Sequence, residues 1–393
     1  MRNRDDFITF ADAVGAQSQL ERGHSGVNPN AVIHPAKGGE LLLKELNIFP
    51  EDEVGAGDDA MNGRVHLRRN SVVLRFQINE INFEDMALKL FSFQYKNNLL
   101  YQTYVNHLDK DLGSINSLGK IPFLPIRFFK SHTVVCGTWK PEIVFTSSAT
   151  SGSIVSRHSV KSLDFYLRNT LTIFQRFYGP IDNYHLLALL PSYLERGGSS
   201  LIAMIDYFIK RDLSCHSGFY LNNHNELVSK IADLKKSSKK IILWGVSFGL
   251  LDLAEEFEID LSSCIVMETG GMKGRRKEWV REELHHFLSK RFNVKQIHSE
   301  YGMTELLSQA YSGGQGYFQA PPWMKIQVRD INDPFQTLNN GRIGGLNVID
   351  LANAYSCSFI ETEDLGRIVN GSSFEVLGRA DNSDLRGCNL LIA

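Results

Sequence analysis

The sequence predicts an α/β protein with mixed sheets flanked by helices. Short apolar runs at 185–190, 240–244 and 264–267 have strand character. They alternate with segments of helical spacing, most clearly 162–178, where Leu163, Tyr166, Leu167, Leu171, Phe174 and Phe177 recur on one face. Alternation of this kind builds a sheet with helices packed against it. With 43% hydrophobic residues in a 393-residue chain, a sizeable core can form.

Taken in order, residues 1–75 read as a weakly ordered extension, because loop-like stretches such as 24–30 and 53–59 carry no sustained periodicity. Residues 76–393 read as the functional domain. From Phe83 onward, Leu88, Leu90, Phe91, Phe93, Leu99 and Tyr101 predict amphipathic helices. The segment 121–126 holds Pro122 and Pro125, too many prolines for a helix or a central strand, so it is expected to wrap over the domain. A short strand at 142–145 leads into a hydroxyl-rich loop. The strand at 185–190 ends at Pro191. The strand at 240–244 is followed by a glycine turn and a helix around 250–257.

Composition excludes several classes. The net charge of -2 gives no global basic surface for nucleic acid. No apolar run approaches the ~20 residues that span a bilayer, and the first residues lack the apolar core of a signal peptide. Five cysteines, at 136, 215, 264, 357 and 388, form no Cys-x-x-Cys pair. That pattern predicts reduced thiols in a cytoplasmic protein and no zinc site.

Four blocks carry candidate chemistry. Thr146, Ser147, Ser148, Thr150, Ser151 and Gly152 follow a strand, and their hydroxyls and free amides suit phosphate. A polar surface turn would look the same. Arg157 and His158 could add positive charge there, or begin a solvated helix. In the block Tyr301-Gly302-Met303-Thr304-Glu305, the ring could stack on a purine, Gly302 permits a tight backbone, Thr304 could bind a phosphoryl oxygen and Glu305 could hold Mg²⁺. The plain alternative is a helix cap with an ordinary Glu behind it. Gly270 and Gly271 would let a flat ring approach the backbone, and the nearby run Lys273, Arg275, Arg276 and Lys277 is either a phosphate face or a solvated one. Asp364 could accept both hydroxyls of a ribose, or sit in a β-turn.

A competing constellation is Gly245-Val246-Ser247-Phe248-Gly249, a nucleophile-elbow pattern between strand and helix, with Asp260 and His298 following in hydrolase order. On that reading Ser247 would serve a serine esterase or thioesterase. Otherwise the turn lines a pocket, and Val246, Phe248 and Leu250 supply its apolar wall.

With all blocks in order, residues from about 82 to 393 resemble the LuxE-like acyl-protein synthetases, the long-chain-fatty-acid–luciferin-component ligases of bacterial bioluminescence, within the adenylate-forming superfamily. The resemblance rests on 121–126, 189–196, 268–275, 301–305 and the run Arg386-Gly387-Cys388-Asn389. It implies the N-terminal-domain fold of that superfamily without a full C-terminal lid domain. It also implies use of ATP and Mg²⁺, with Arg379 of the Gly378-Arg379 block at the nucleotide. A carboxylic acid, expected to be a long-chain fatty acid, would become acyl-AMP. The acyl group would pass to Cys388 and then to a fatty acid reductase partner. Two features depart from the superfamily pattern: Ala149 stands at the central glycine of the Ser/Thr loop, and no lysine closes that loop.

Removal of residues 1–75 is expected to leave acid-dependent ATP–pyrophosphate exchange largely intact; loss of folding on removal would show that the segment belongs to the domain.

Overall fold

A computed structural model describes residues 82–148, 154–190, 197–270 and 279–379. The expected extension at 1–75 lies outside the described residues.

The described chain opens with two helices, α1 (Phe83–Asn97) and α2 (Leu99–His107). Asn98 ends the first and caps the second: its amide donates to Gln94 O at 2.8 Å, and its side chain accepts from the Tyr101 amide at 3.0 Å. The α2 tyrosines then hold the proline-rich segment. Tyr101 donates to Pro122 O and Tyr104 to Phe123 O. That segment wraps as expected and contributes one short strand, β1 (Leu124–Pro125), parallel to Ile360 and Glu361. Helix α3 (Phe128–Ser131) follows, then a hairpin of β2 (Ile143–Thr146) and β3 (Arg157–Val160). Arg157 and His158 thus lie in a strand, not at the start of a helix.

Helix α4 (Leu163–Tyr178) matches the predicted period. Ser162 caps it, and it stops at Gly179, whose φ of 79° suits glycine alone. Next come β4 (Tyr184–Leu189), α5 (Ser200–Ile209), β5 (Gly218–Phe219), α6 (His224–Leu234), β6 (Lys240–Val246), α7 (Ser247–Glu256), β7 (Ile265–Thr269), α8 (Arg281–Arg291), β8 (His298–Tyr301) and β9 (Ala310–Ser312). The sheet order is β5–β4–β6–β7–β8–β9, parallel except for the last pair. Every residue of β4 is buried, as both faces of a parallel sheet require. Phe174, Phe208, Trp244 and Tyr311 pack together as an aromatic core beside it.

The 240–246 strand runs two residues further than predicted. Gly245 lies within this strand, and Leu250 fills the space beside it; a Cβ there would meet Leu250 Cγ at 2.7 Å. The helix starts at Ser247, with no intervening turn.

The remaining strands are β10 (Tyr317–Phe318), β11 (Met324–Arg329), β12 (Gly344–Asp350), β13 (Phe359–Ile368) and β14 (Phe374–Arg379). They form a second sheet in the order β10–β14–β13–β12–β11, with β1 added beside β13. Asp364 and Gly366 sit inside the ten-residue β13, so Asp364 is not a turn residue. Gly366 makes the pairing possible: a Cβ there would lie 2.1 Å from Glu375 O. Gly366→Ala should therefore lower stability by about 1–3 kcal/mol through overpacking. Urea unfolding measures this, and an unchanged midpoint would contradict it.

Candidate active site

The parallel strands β6, β7 and β8 end on one side of their sheet, the side on which open α/β sheets carry ligands. The block 301–305 begins there. Tyr301 closes β8 with a ring 7% exposed, packed against Phe318 and Phe374. Its hydroxyl donates to Asp364 Oδ2 at 2.8 Å. Arg379 Nε approaches the other oxygen of Asp364 at 3.5 Å from a side chain that is 75% exposed. Burial pushes the Asp364 carboxyl up, and the Arg379 charge and the Tyr301 hydrogen bond only partly offset that. Three of the predicted residues, Tyr301, Asp364 and Arg379, are thus in direct contact across the two sheets.

After Tyr301 the chain makes a turn, closed by Leu306 N to Met303 O at 3.1 Å, and no helix follows it. Its backbone is held from several sides. His158 Nδ1 lies 2.8 Å from Thr304 O. Asn353 Nδ2 donates to Glu305 O at 2.8 Å and to Cys357 O at 2.9 Å. Asp350 accepts from Leu307 N, Ser308 N and Ser308 Oγ at 2.9, 3.0 and 2.7 Å. Gln94 of α1 donates in turn to Asn353 O and Ala354 O, both at 3.0 Å.

This bracing presents Glu305 to the Ser/Thr loop. Glu305 is 5% exposed. Burial raises its carboxyl, opposed by a hydrogen bond from the Ser156 side chain and by the charges of Arg379 and Lys130. The Ser156 amide donates to Ser147 Oγ at 2.9 Å, and the Ser147 amide returns to Ser156 O at 3.1 Å. Ser156 thus pairs with Ser147 and also favours the charged form of Glu305, which is far from both in sequence. The Thr146 amide donates to Gly198 O at 2.7 Å, and Ser148 is exposed.

His158 does not supply the positive charge expected of it. Burial pushes its imidazole down to about 4, against the pull of Thr304 O and the Asn353 side chain, so the ring is neutral near pH 7. Its Nε2 lies 3.1 Å from Asn353 Oδ1. With one proton on the ring, only one of the two contacts can be donated at a time.

Ser247 is 2% exposed at the first turn of α7. Its hydroxyl donates to Glu268 Oε1 at 2.5 Å and approaches Gly270 O at 3.4 Å. Ser299 Oγ donates to the other Glu268 oxygen at 3.3 Å, and His285 Nε2 stands 3.7 Å from it. The order is serine, carboxylate, histidine, in which the carboxylate accepts the serine hydrogen bond and no imidazole does. That is not the relay a serine nucleophile needs. His298 contacts the Tyr178 hydroxyl at 3.1 Å, and exposed Asp260 takes its donors from Ser262 and Asn293. The hydrolase constellation is not assembled among the described residues. Val246, Phe248 and Leu250 are all buried, and Leu250 packs beneath Gly245. Gly270 takes a φ of 72° at the end of β7, and Gly302 is exposed after β8.

Thr150, Ser151, Gly152, Gly271, the basic run 273–277 and Cys388 lie outside the described residues. The sequence reading missed Ser156, Glu268, Arg281, Asp350 and Asn353. Each acts through a partner remote in the chain, which no local pattern reveals. Among the described residues no three His, Cys, Asp or Glu side chains gather as a metal-binding group. A single buried carboxylate is compatible with Mg²⁺, which takes most of its ligands from water and phosphate. No helix among the described residues is long and apolar enough to cross a membrane.

Two sheets meeting at these strand ends make a fold shared with a solved CoA ligase. A 2-hydroxyisobutyryl-CoA ligase, solved in an open conformation with 2-HIB-AMP and CoA, superposes with a TM-score of 0.55 at 12% identity, covering 77% of this chain and 76% of that one. ATP-bound MatB from Rhodopseudomonas palustris matches with a TM-score of 0.44 at 17% identity, over 60% of this chain and 47% of that one. O-succinylbenzoate coenzyme A synthetase (MenE) from Bacillus subtilis, in complex with AMP, gives 0.43 at 16% identity, over 61% and 49%. The chain thus spans about half the length of the first structures it matches. No curated protein matches it. The chain belongs to the acyl-protein synthetase family, LuxE, whose profile matches residues 71–393.

The neutral His158 makes the fold sensitive to acid. Its folded value lies below the ordinary one, so the unfolded chain binds the extra proton first. The contribution is fully present above about pH 6.5, shrinks as pH falls toward 4, and amounts to about 3 kcal/mol. Urea unfolding at pH 7 and pH 4.5 should show a larger acid loss for the native chain than for His158→Gln. Equal losses would contradict the assignment.

Proposed function

We propose that the protein activates a carboxylic acid with ATP and then carries the acyl group on Cys388. The observation that supports this most is the contact of Tyr301, Asp364 and Arg379, set beside the buried Glu305 and the Ser147–Ser156 pairing. It sets an exposed arginine beside a buried carboxylate, in a chain whose family is that of acyl-protein synthetases.

In the first step a carboxylate oxygen of the acid attacks the α-phosphorus. The α–β phosphoanhydride bond breaks, and pyrophosphate leaves. The protein contributes position and charge stabilisation. Thr146, Ser147, Ser148, Thr150, Ser151 and Gly152 would donate to the phosphates, and Thr304 to the reacting phosphoryl group. Glu305 would hold Mg²⁺, which screens the phosphate charge. Gly270, Gly271, Tyr301 and Gly302 would border the adenosine, Asp364 would accept from its ribose, and Arg379 has the freedom to close on it. Val246, Phe248 and Leu250 would form the apolar wall for the acyl chain.

In the second step the Cys388 sulfur, as thiolate, attacks the acyl carbon. The bond to the AMP oxygen breaks, AMP departs, and the thiol proton goes to solvent. A free thiol titrates near ~8.5, so a neighbouring arginine such as Arg379 or Arg386 would favour the thiolate. A long-chain fatty acid, a fatty acid reductase as acceptor of the acyl group, a cytoplasmic site of action and a role in bioluminescence follow the family's namesake and belong to the same proposal. So does the assignment of residues 76–393 as the catalytic domain.

Labelled fatty acid with ATP should leave a thioester on the protein that neutral hydroxylamine releases. Cys388→Ser should lose that label yet keep pyrophosphate exchange. Glu305→Ala should lower exchange by about 100-fold or more, the scale of a lost charge-stabilising group, whereas Ser247→Ala should retain it. Full labelling of Cys388→Ser would refute the thiol step.

A further inference from the structure

We propose that Arg281 is an anion-binding residue of the cleft and takes an oxyanion of the reacting groups, either the acid's carboxylate or the nucleotide's α-phosphate. The inference rests on the adenylation reading and adds to it a residue that none of the motif blocks contains.

Arg281 is the first residue of α8. Its guanidinium carbon stands 5.0 Å from the centroid of the Phe318 ring. Phe318 also packs against Tyr301 and Phe374, so the arginine rests on the aromatic cluster that carries the Tyr301–Asp364 contact. A planar guanidinium on a ring face is held in orientation and keeps its edge for ligands. The Arg281 charge acts on two buried carboxylates, Glu268 and Asp364. It forms an ion pair with neither among the described residues. Both are already supplied with donors: Glu268 by Ser247 and Ser299, and Asp364 by Tyr301 and Arg379.

Arg281 Nη1 is consequently buried with no hydrogen-bond partner among the described residues. One turn along α8, His285 Nε2 is in the same condition, 3.7 Å from Glu268. A buried guanidinium N–H without an acceptor is costly. An oxyanion arriving in the cleft would remove that cost, and bidentate geometry is what a carboxylate or phosphate offers an arginine.

Steady-state pyrophosphate exchange on Arg281→Ala, Arg281→Lys and Arg281→Gln, with acid and ATP varied separately, tests this. At least one folded variant, checked by thermal melting, is required. A rise of about tenfold or more in KM for the acid alone would assign the carboxylate. The same rise for ATP alone would assign the α-phosphate. Arg281→Lys should be affected less than Arg281→Ala, and methylguanidinium should restore part of the Arg281→Ala loss. KM values and kcat all within about twofold of the native enzyme would overturn the proposal. If the native protein shows no acid-dependent exchange, the adenylation reading fails, and AMP titration then decides on Arg281: weaker binding by Arg281→Ala supports an oxyanion contact, and equal binding, or none by the native chain, overturns it.

Discussion

The turn at 303–308 is fixed by two side chains from the end of β12 and the loop beyond it, and the arrangement of the cleft depends on them. Asp350 is fully buried, yet it accepts two backbone amides and the Ser308 hydroxyl across 42 and 43 residues of chain, and the Ala352 amide besides. Asn353 spans from His158 to the Glu305 carbonyl. A turn leaving a sheet has backbone groups with no ladder partner, and in a buried position each must find one. Here the second sheet supplies them. The parallel sheet and the second sheet are joined through the same groups that orient Glu305, so stability and site geometry share one network. Gln94 extends the network to α1, which explains why a helix far from the strand ends matters to the cleft.

The cleft is also unusual in how its charge is balanced. Glu268, Glu300, Glu305, Asp350 and Asp364 are all buried near these strand ends. Hydroxyl groups contribute to the compensation at each of them: Ser247 and Ser299 for Glu268, Thr269 for Glu300, Ser156 for Glu305, Ser308 for Asp350 and Tyr301 for Asp364. Hydroxyls can satisfy a carboxylate without cancelling its charge. A polyphosphate entering such a site needs additional positive charge, and under the proposed function Arg379, Arg281 and Mg²⁺ are its sources.

The local parts of this architecture were legible in the sequence. The apolar runs of β4, β6 and β7 are continuous because both faces of their sheet are covered. Helix α4 announced itself by its period over 162–178. The block 301–305 and the Ser/Thr loop drew attention because their residue types suit phosphate chemistry at close spacing. What failed was anything decided by remote contact. His158 reads as a cation, but its burial between Thr304 and Asn353 makes it neutral. Asp364 beside Gly366 reads either as a ribose acceptor or as a β-turn residue; the turn is excluded because the glycine serves close strand pairing with Glu375. Ser247 fits either a nucleophile elbow or a plain turn by sequence, and only Glu268, 21 residues away, which accepts its hydrogen bond, separates the two. The braces Asp350 and Asn353 carry no local signature at all, since their partners are assigned only once the two sheets meet.

The central claim is that this cleft joins a carboxylic acid to the α-phosphate of ATP. The most direct measurement is exchange of radiolabelled pyrophosphate into ATP by the full-length protein, screened over fatty and aryl acids with Mg²⁺ present. The account predicts exchange that requires both a carboxylic acid and the Glu305 carboxylate. Absence of acid-dependent exchange with every acid by a folded protein that binds ATP, or undiminished exchange in a folded Glu305→Ala variant, would contradict it.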